Sequence, residues 1–290
     1  MTDHIQANFR TKDGLNLVGD VGGRPDAPAV ILLHGGGQTR HSWTRTMRHL
    51  VQRGYHVINY DARGHGDSDW SPTGEYAIHM LAADLLAIRG TIRGPAVFVG
   101  ASMGGIASFY ALAMMRPAAA QALIMVDIVL RISDAGAGRI RKFMTGHQNG
   151  FASLEEAAEA VAAYNPDRAR PQDPSGLRKN LRLRDDGRLY WHWDPRMMEI
   201  SPSSEPPVHM ESLENMARNI TIPTLVVRGE QSDIVDDQGV AEMRRLIPQT
   251  EVFEVPGAGH MVAGDRNDAF SAGVMTFLDR HFPVHSDTRL

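Results

Sequence analysis

Three short segments carry residue types suited to covalent chemistry at a carbonyl: Gly100-Ala101-Ser102-Met103-Gly104, His34-Gly35-Gly36-Gly37 and Gly257-Ala258-Gly259-His260. The first follows the apolar run Ala96-Val97-Phe98-Val99 and precedes a helical pattern over residues 105–115. It is a G-x-S-x-G sequence in a strand-turn-helix setting, where backbone segments approach too closely for side chains and the serine hydroxyl is lifted above the sheet. The Met103 amide then opens the helix and points at negative charge developing beside Ser102. A small-residue turn that merely joins strand to helix is the competing reading of the bare pattern. A dinucleotide loop is disfavoured by spacing, because Ala101-Ser102 stands where G-x-G-x-x-G needs its second glycine.

In the second segment, glycines leave backbone amides facing open space at the end of a strand, so Gly36 N–H and Met103 N–H are expected to form an oxyanion hole, with Gly37 beside the substrate. His260 is the best placed general base of the thirteen histidines. His4, His49, His56, His147, His281 and His285 lie in polar surroundings, His34 braces its own loop, and His65 sits in the turn Arg63-Gly64-His65-Gly66. Two carboxylates compete for the role of acid, Asp233 after Thr224–Gly229 and Asp127 at the end of Ala122–Val126. Both end apparent strands, where catalytic groups gather in open α/β sheets. Asp233 is preferred because it lies shortly before His260, leaving Asp127 as the alternative acid or as an anchor for the segment that follows it. Asp236 and Asp237 fall in the first turn of the next helix, where carboxylates suit the helix dipole.

The elements that must position these groups are legible as apolar runs bounded by Gly, Asp or His, at residues 29–35, 56–61, 96–100, 122–127, 224–229 and 251–255. Such runs read as strands buried on both faces. Helix-length stretches near 44–53, 78–89, 103–115, 236–246 and 268–281 alternate with them. The expected fold is α/β: a mostly parallel sheet with helices on both faces and an antiparallel N-terminal hairpin over residues 6–22, turning at Asp13-Gly14. A long interval separates the sixth strand from the next. Residues 131–218 are therefore expected to be a helical cap, or lid, inserted after the sixth strand, and 1–130 with 219–290 the core domain.

With 42% hydrophobic and 22% charged residues the 290-residue chain is ordinary for a folded enzyme. A net charge of -4 offers no electrostatic reason for nucleic acid or an anionic membrane to bind. The absence of cysteine removes disulfides, thiolate metal sites and a thiol nucleophile, and fits a reducing compartment. The start of the chain lacks a signal-peptide pattern, and no apolar run approaches the roughly 20 residues that span a bilayer. The expectation is a cytoplasmic protein acting on a small molecule, with no cofactor, no metal, no nucleic acid or membrane partner, and homo-oligomerisation left open.

Taken together, the serine elbow, the His-Gly-Gly-Gly loop, the late aspartate and the closing G-x-G-H resemble the α/β-hydrolase superfamily over nearly the whole chain. Asp61-Ala62-Arg63-Gly64-His65-Gly66-Asp67-Ser68 also resembles that family's D-x-R-G-x-G-x-S turn, whose implied role is structural support beside the site. The resemblance implies a cofactor-free triad of Ser102, Asp233 and His260, and a cap whose Phe143, Met144, Trp191 and Trp193, with Met261, contribute to a substrate pocket. Tyr190, Met197, Met198 and Phe109 are further candidates, although a run of aromatics and methionines equally describes packing.

The reaction expected is acyl transfer on a carboxylic ester or lactone of a small, largely apolar molecule. A meta-cleavage-type C–C hydrolase shares the serine elbow, but those relatives carry Trp directly after the catalytic histidine, where this chain has Met261. A cofactor-free haloperoxidase or perhydrolase uses the same triad. A small-molecule receptor on the same fold is the non-enzymatic alternative.

Overall fold

The computed structural model describes residues 4–164, 173–199, 210–260, 262 and 267–284. In chain order the strands are β1 (His4–Arg10), β2 (Asn16–Gly22), β3 (Ala29–Leu33), β4 (His56–Tyr60), β5 (Ala96–Ala101), β6 (Ala122–Val126), β7 (Leu181–Leu183), β8 (Leu189–Trp191), β9 (Thr224–Gly229) and β10 (Thr250–Val255). Eight of them form one sheet in the order β1-β2-β4-β3-β5-β6-β9-β10. The pairings among β4, β3, β5, β6, β9 and β10 are all parallel, whereas β1–β2 and β2–β4 are antiparallel.

The helices are α1 (Thr44–Gln52), α2 (Ile78–Arg89), α3 (Met103–Tyr110), α4 (Asp134–Thr145), α5 (Leu154–Tyr164), α6 (Met210–Ala217), α7 (Asp237–Leu246) and α8 (Asn267–His281). Side-chain alternation along β3 shows why its sequence is apolar throughout. Ile31 and Leu33 enter a core shared with α2, α3 and α7, while Val30 and Leu32 enter a second core shared with α1 and α8. Each strand of the parallel region therefore loses both faces to packing, the condition that replaces an in-out pattern by a continuous apolar run.

Two expectations need adjustment. The β1–β2 connection turns at Asp13-Gly14, with Gly14 at φ +93, but it is a five-residue loop stapled by Thr11 rather than a tight two-residue turn. The helix read over 103–115 is α-helical only to Tyr110 and continues as a π-helical turn over Ala111–Met115. The wider turn leaves the Ala113 carbonyl to accept from Asn219 Nδ2 at 2.8 Å, so an outside donor replaces the helix ladder there.

Between β6 and β9 the chain builds α4, α5, the antiparallel pair β7–β8, short 3₁₀ turns and α6. The small hairpin was not foreseen. Its core is separate from those flanking the sheet and contains Met144, Phe151, Ala157, Leu181, Trp191 and Trp193. Trp191 and Trp193 stack at 4.8 Å between ring centroids, and Phe143 packs against both.

Candidate active site

Ser102 stands between β5 and α3 at φ 46 and ψ -115, a backbone conformation costly for a residue with a side chain and typical of functional turns. The glycines around it are sterically required. A Cβ on Gly100 would collide with the Gly104 carbonyl, one on Gly104 would lie 2.7 Å from the His34 carbonyl oxygen, and one on Gly35 would crowd Ser102 Cβ at 3.3 Å. The elbow and the start of the His34–Gly37 loop are thus packed closely against each other.

The amides of that loop are unequally engaged. Gly35 N–H donates to Gln38 Oε1 at 3.2 Å, and Gly37 N–H donates to His65 Nε2 at 3.1 Å. Among the described residues neither Gly36 N–H nor Met103 N–H has an acceptor. Met103 Sδ lies 4.0 Å from the position a Cβ on Gly36 would take, which places the two residues side by side. Two donors are thus unused among the described residues, one of them at the helix N-terminus that follows Ser102.

His260 Nδ1 meets Asp127 Oδ2 at 2.7 Å. Asp127 is buried at φ 47 and accepts two further hydrogen bonds, from Gly229 N–H at 2.9 Å and from Ser232 Oγ at 2.7 Å. Its carboxylate therefore has fixed donors on both oxygens, as a buried polar group requires. The His260 loop is tied down next to it, since Gln231 N–H donates to the Ala258 carbonyl and any side chain at Gly229 would strike that carbonyl.

The preferred pairing of His260 with Asp233 is not what the structure holds. Asp233 turns away and forms an ion pair with Arg139 of α4, and its carbonyl accepts from Ser133 Oγ. The expected roles are exchanged: Asp233 ties the chain after β9 to the inserted segment, and Asp127 meets the histidine. The reason lies in the sheet, where β6 and β9 are parallel neighbours whose carboxyl ends open on the same edge. From the loop after β9 it is Ser232, one residue earlier, that reaches inward.

The turn after β4 supports this edge. Asp61 accepts from Arg40 N–H, from the Arg40 guanidinium and from Asp67 N–H, and Ser68 Oγ donates to the Asp61 carbonyl at 2.6 Å. Arg63 is buried against Asp84 in a two-pronged ion pair, both contacts at 2.6 Å, and also reaches Asp13. Sequence reasoning missed a participant from the inserted segment, His192. Its Nε2 lies 3.3 Å from the Gly37 carbonyl, and Gly66 N–H donates to its Nδ1 at 2.7 Å. Burial pushes His192 down to about 3, with His34 adding to the fall and Asp61 opposing it; burial also holds His65 well below the ordinary histidine value.

Of the residues expected around substrate, Met144 and Trp193 reach the loop, at 2.7 and 3.3 Å from a Cβ built on Gly37. Met144, Trp191 and Trp193 are buried and serve chiefly as the core of the inserted segment, whereas Phe143 is half-buried and stacks on Tyr164 at 4.3 Å. Burial and the nearby Asp233 push the Tyr164 hydroxyl up to about 12. Phe109 is core, Met197 lies over Gly64, and Tyr190 is tied to Asp186 under Arg184. Met261 lies outside the described residues. Among the described residues no group of three or more His, Cys, Asp or Glu side chains could hold a metal ion, and no helix is long and apolar enough to cross a membrane.

The chain is similar to several known proteins. The chain is 33% identical over 264 residues to 3-oxoadipate enol-lactonase 2 of Acinetobacter baylyi, covering 89% of this chain and 91% of the relative. It is 29% identical over 265 residues to the sn-1-specific diacylglycerol lipase of Mus musculus, covering 87% and 81% respectively. A crystallised α/β hydrolase of Novosphingobium aromaticivorans superimposes with a TM-score of 0.79 at 26% identity, over 97% of this chain and 99% of that one. The family model of the α/β hydrolase fold matches residues 28–266, and the chain belongs to that family.

Proposed function

We propose that this protein is a serine hydrolase that cleaves a carboxylic ester or lactone of a small, largely apolar molecule. The observation that carries the reading is the 2.7 Å contact between His260 and buried Asp127, at the end of the strand beside the one that presents Ser102. Relatives named as a lipase and an enol-lactonase support the choice of an acyl–oxygen bond as the target.

In this mechanism His260 Nε2 takes the Ser102 Oγ proton while Oγ attacks the carbonyl carbon. Asp127 holds the proton on Nδ1 and stabilises the imidazolium that forms. Gly36 N–H and Met103 N–H receive the oxyanion, each such donor contributing about 3 kcal/mol in the transition state. Collapse of the tetrahedral species breaks the acyl–oxygen bond, and the departing alkoxide takes the proton from His260. Water, deprotonated by the same histidine, then attacks the acyl-Ser102 ester, and collapse frees the acid and restores the hydroxyl. No step calls for a cofactor. Residues 131–218 serve as a cap over a core formed by 1–130 and 219–290. Gly37, with Met144 and Trp193 packed against it, lies beside the substrate.

The decisive experiment is labelling with a fluorophosphonate, read by intact mass, beside hydrolysis of short p-nitrophenyl esters. The unsubstituted protein should gain one adduct and turn over the ester, and Ser102→Ala should do neither. Equal labelling of both proteins overturns the reading.

A further inference from the structure

The expected oxyanion donor Gly36 N–H belongs to a stretch of backbone gripped by three imidazoles. Its own peptide unit ends in the Gly35 carbonyl, which accepts from His34 Nδ1 at 2.8 Å and from Gln38 N–H at 3.1 Å. The next unit ends in Gly37 N–H, donated to His65 Nε2, and the one after that in the Gly37 carbonyl, which faces His192 Nε2. Gly37 itself sits at φ +71, a conformation open to glycine and poorly held without outside partners.

The proton positions follow from the backbone partners alone, because amides only donate and carbonyls only accept. Gly66 N–H occupies His192 Nδ1, so His192 Nε2 carries the proton given to the Gly37 carbonyl. The Arg63 carbonyl takes the proton on His65 Nδ1, leaving His65 Nε2 to accept from Gly37 N–H. The three rings touch, His34 to His65 at 4.9 Å and His65 to His192 at 5.8 Å between centroids.

His34 and His65 come from the sheet edge, but His192 comes from the inserted segment. That segment is latched independently: Asp194 N–H donates to the Gly64 carbonyl at 2.9 Å, Tyr76 Oη donates to Asp194, and Arg196 Nη2 donates to the Ser71 carbonyl at 2.8 Å. We propose that His192 is a positioning residue for the oxyanion loop, so that seating the inserted segment completes the oxyanion hole as well as covering the site. The inference rests on the serine-hydrolase reading and adds to it a contribution from outside the core domain.

The test compares His192→Phe, His192→Gln and His192→Asn in the full-length protein, using a p-nitrophenyl ester and an alkylboronic acid that binds serine as a tetrahedral anion. His192→Phe should lower kcat about 10- to 100-fold while KM stays within about twofold, the split expected when an interaction of the transition state is lost. Boronate affinity should fall by the same factor. Glutamine places an N–H where Nε2 stood and should recover most of the loss, whereas asparagine, which stops at the Nδ1 position, should not. A loss confined to KM, or wild-type kcat in His192→Phe, overturns the proposal. Where His192→Phe does not fold, the amide pair decides, and equal kcat for Gln and Asn overturns it. Failure of Ser102 to label in the unsubstituted protein overturns the serine-hydrolase reading, and this proposal with it; normal labelling with the outcomes above separates the two.

Discussion

Asp127 and His260 are 133 positions apart in the chain and meet at 2.7 Å, with the carboxylate also bound by Gly229 N–H and Ser232 Oγ. A carboxylate so held fixes which ring nitrogen of His260 carries the proton. Asp127→Asn should preserve the fold and lower kcat about 10³- to 10⁴-fold, because an amide can present its N–H to Nδ1 and favour the wrong tautomer. Asp233→Asn breaks only the ion pair with half-exposed Arg139 and should cost less than about 3-fold. Ester turnover of the two variants, after matching circular dichroism, checks the assignment; a larger loss in Asp233→Asn reverses it.

Gly36 offers a test of backbone chemistry. Gly36→Pro removes the N–H and should lower kcat about 10²- to 10³-fold. Gly36→Ala keeps the N–H and meets nothing nearer than Met103 Sδ at 4.0 Å, so its loss should be smaller by at least about tenfold. Single-turnover kinetics on an activated ester separate acylation from release of product. Equal losses would show that the amide is not the donor.

The elbow glycines should govern stability as well as activity. A methyl on Gly100 meets the Gly104 backbone, which cannot rotate away as a flexible side chain would. Gly100→Ala should destabilise by about 1–3 kcal/mol, the usual range for forced overpacking. Urea unfolding of the variant beside the parent measures this, and an unchanged midpoint would mean that the turn has room to spare.

The buried imidazoles predict acid sensitivity. His192, whose value burial pushes down to about 3, faces His34, His65, Asp61, Arg182 and the Gly37 carbonyl, and His65 is held well below its ordinary value too. The native state therefore binds fewer protons than the unfolded chain below the ordinary histidine value of 6.5. Stability is full above about 6.5 and is lost as pH falls, by up to about 1.4 kcal/mol per pH unit for each such histidine. Urea unfolding between pH 5 and 8 should show this slope, reduced in His192→Gln. An identical slope in both proteins would assign the effect to other groups.

Much of this molecule was legible in its sequence because its strands lie in a parallel sheet with both faces covered. Val30 and Leu32 are needed by one core and Ile31 and Leu33 by the other, so the strand announces itself. Ser102 and the glycines around it were legible for a steric reason, since close backbone approach excludes side chains. The partner of His260 was not, because proximity in sequence favoured Asp233 whereas proximity in space depends on the order of strands and on the positive φ of Asp127. His192 lay in a cluster of aromatics that reads as packing. Its contact with Gly37 exists only because a segment starting beyond β6 folds back across the sheet edge.

Ser232 shows that the place beside His260 is open to more than one loop. Its hydroxyl lies 2.7 Å from the carboxylate that meets His260, yet it is carried by the neighbouring strand's loop. Two adjacent strand ends thus address one point in space. Ser232→Asp placed on the Asp127→Asn background puts a carboxylate back at that point from the neighbouring loop.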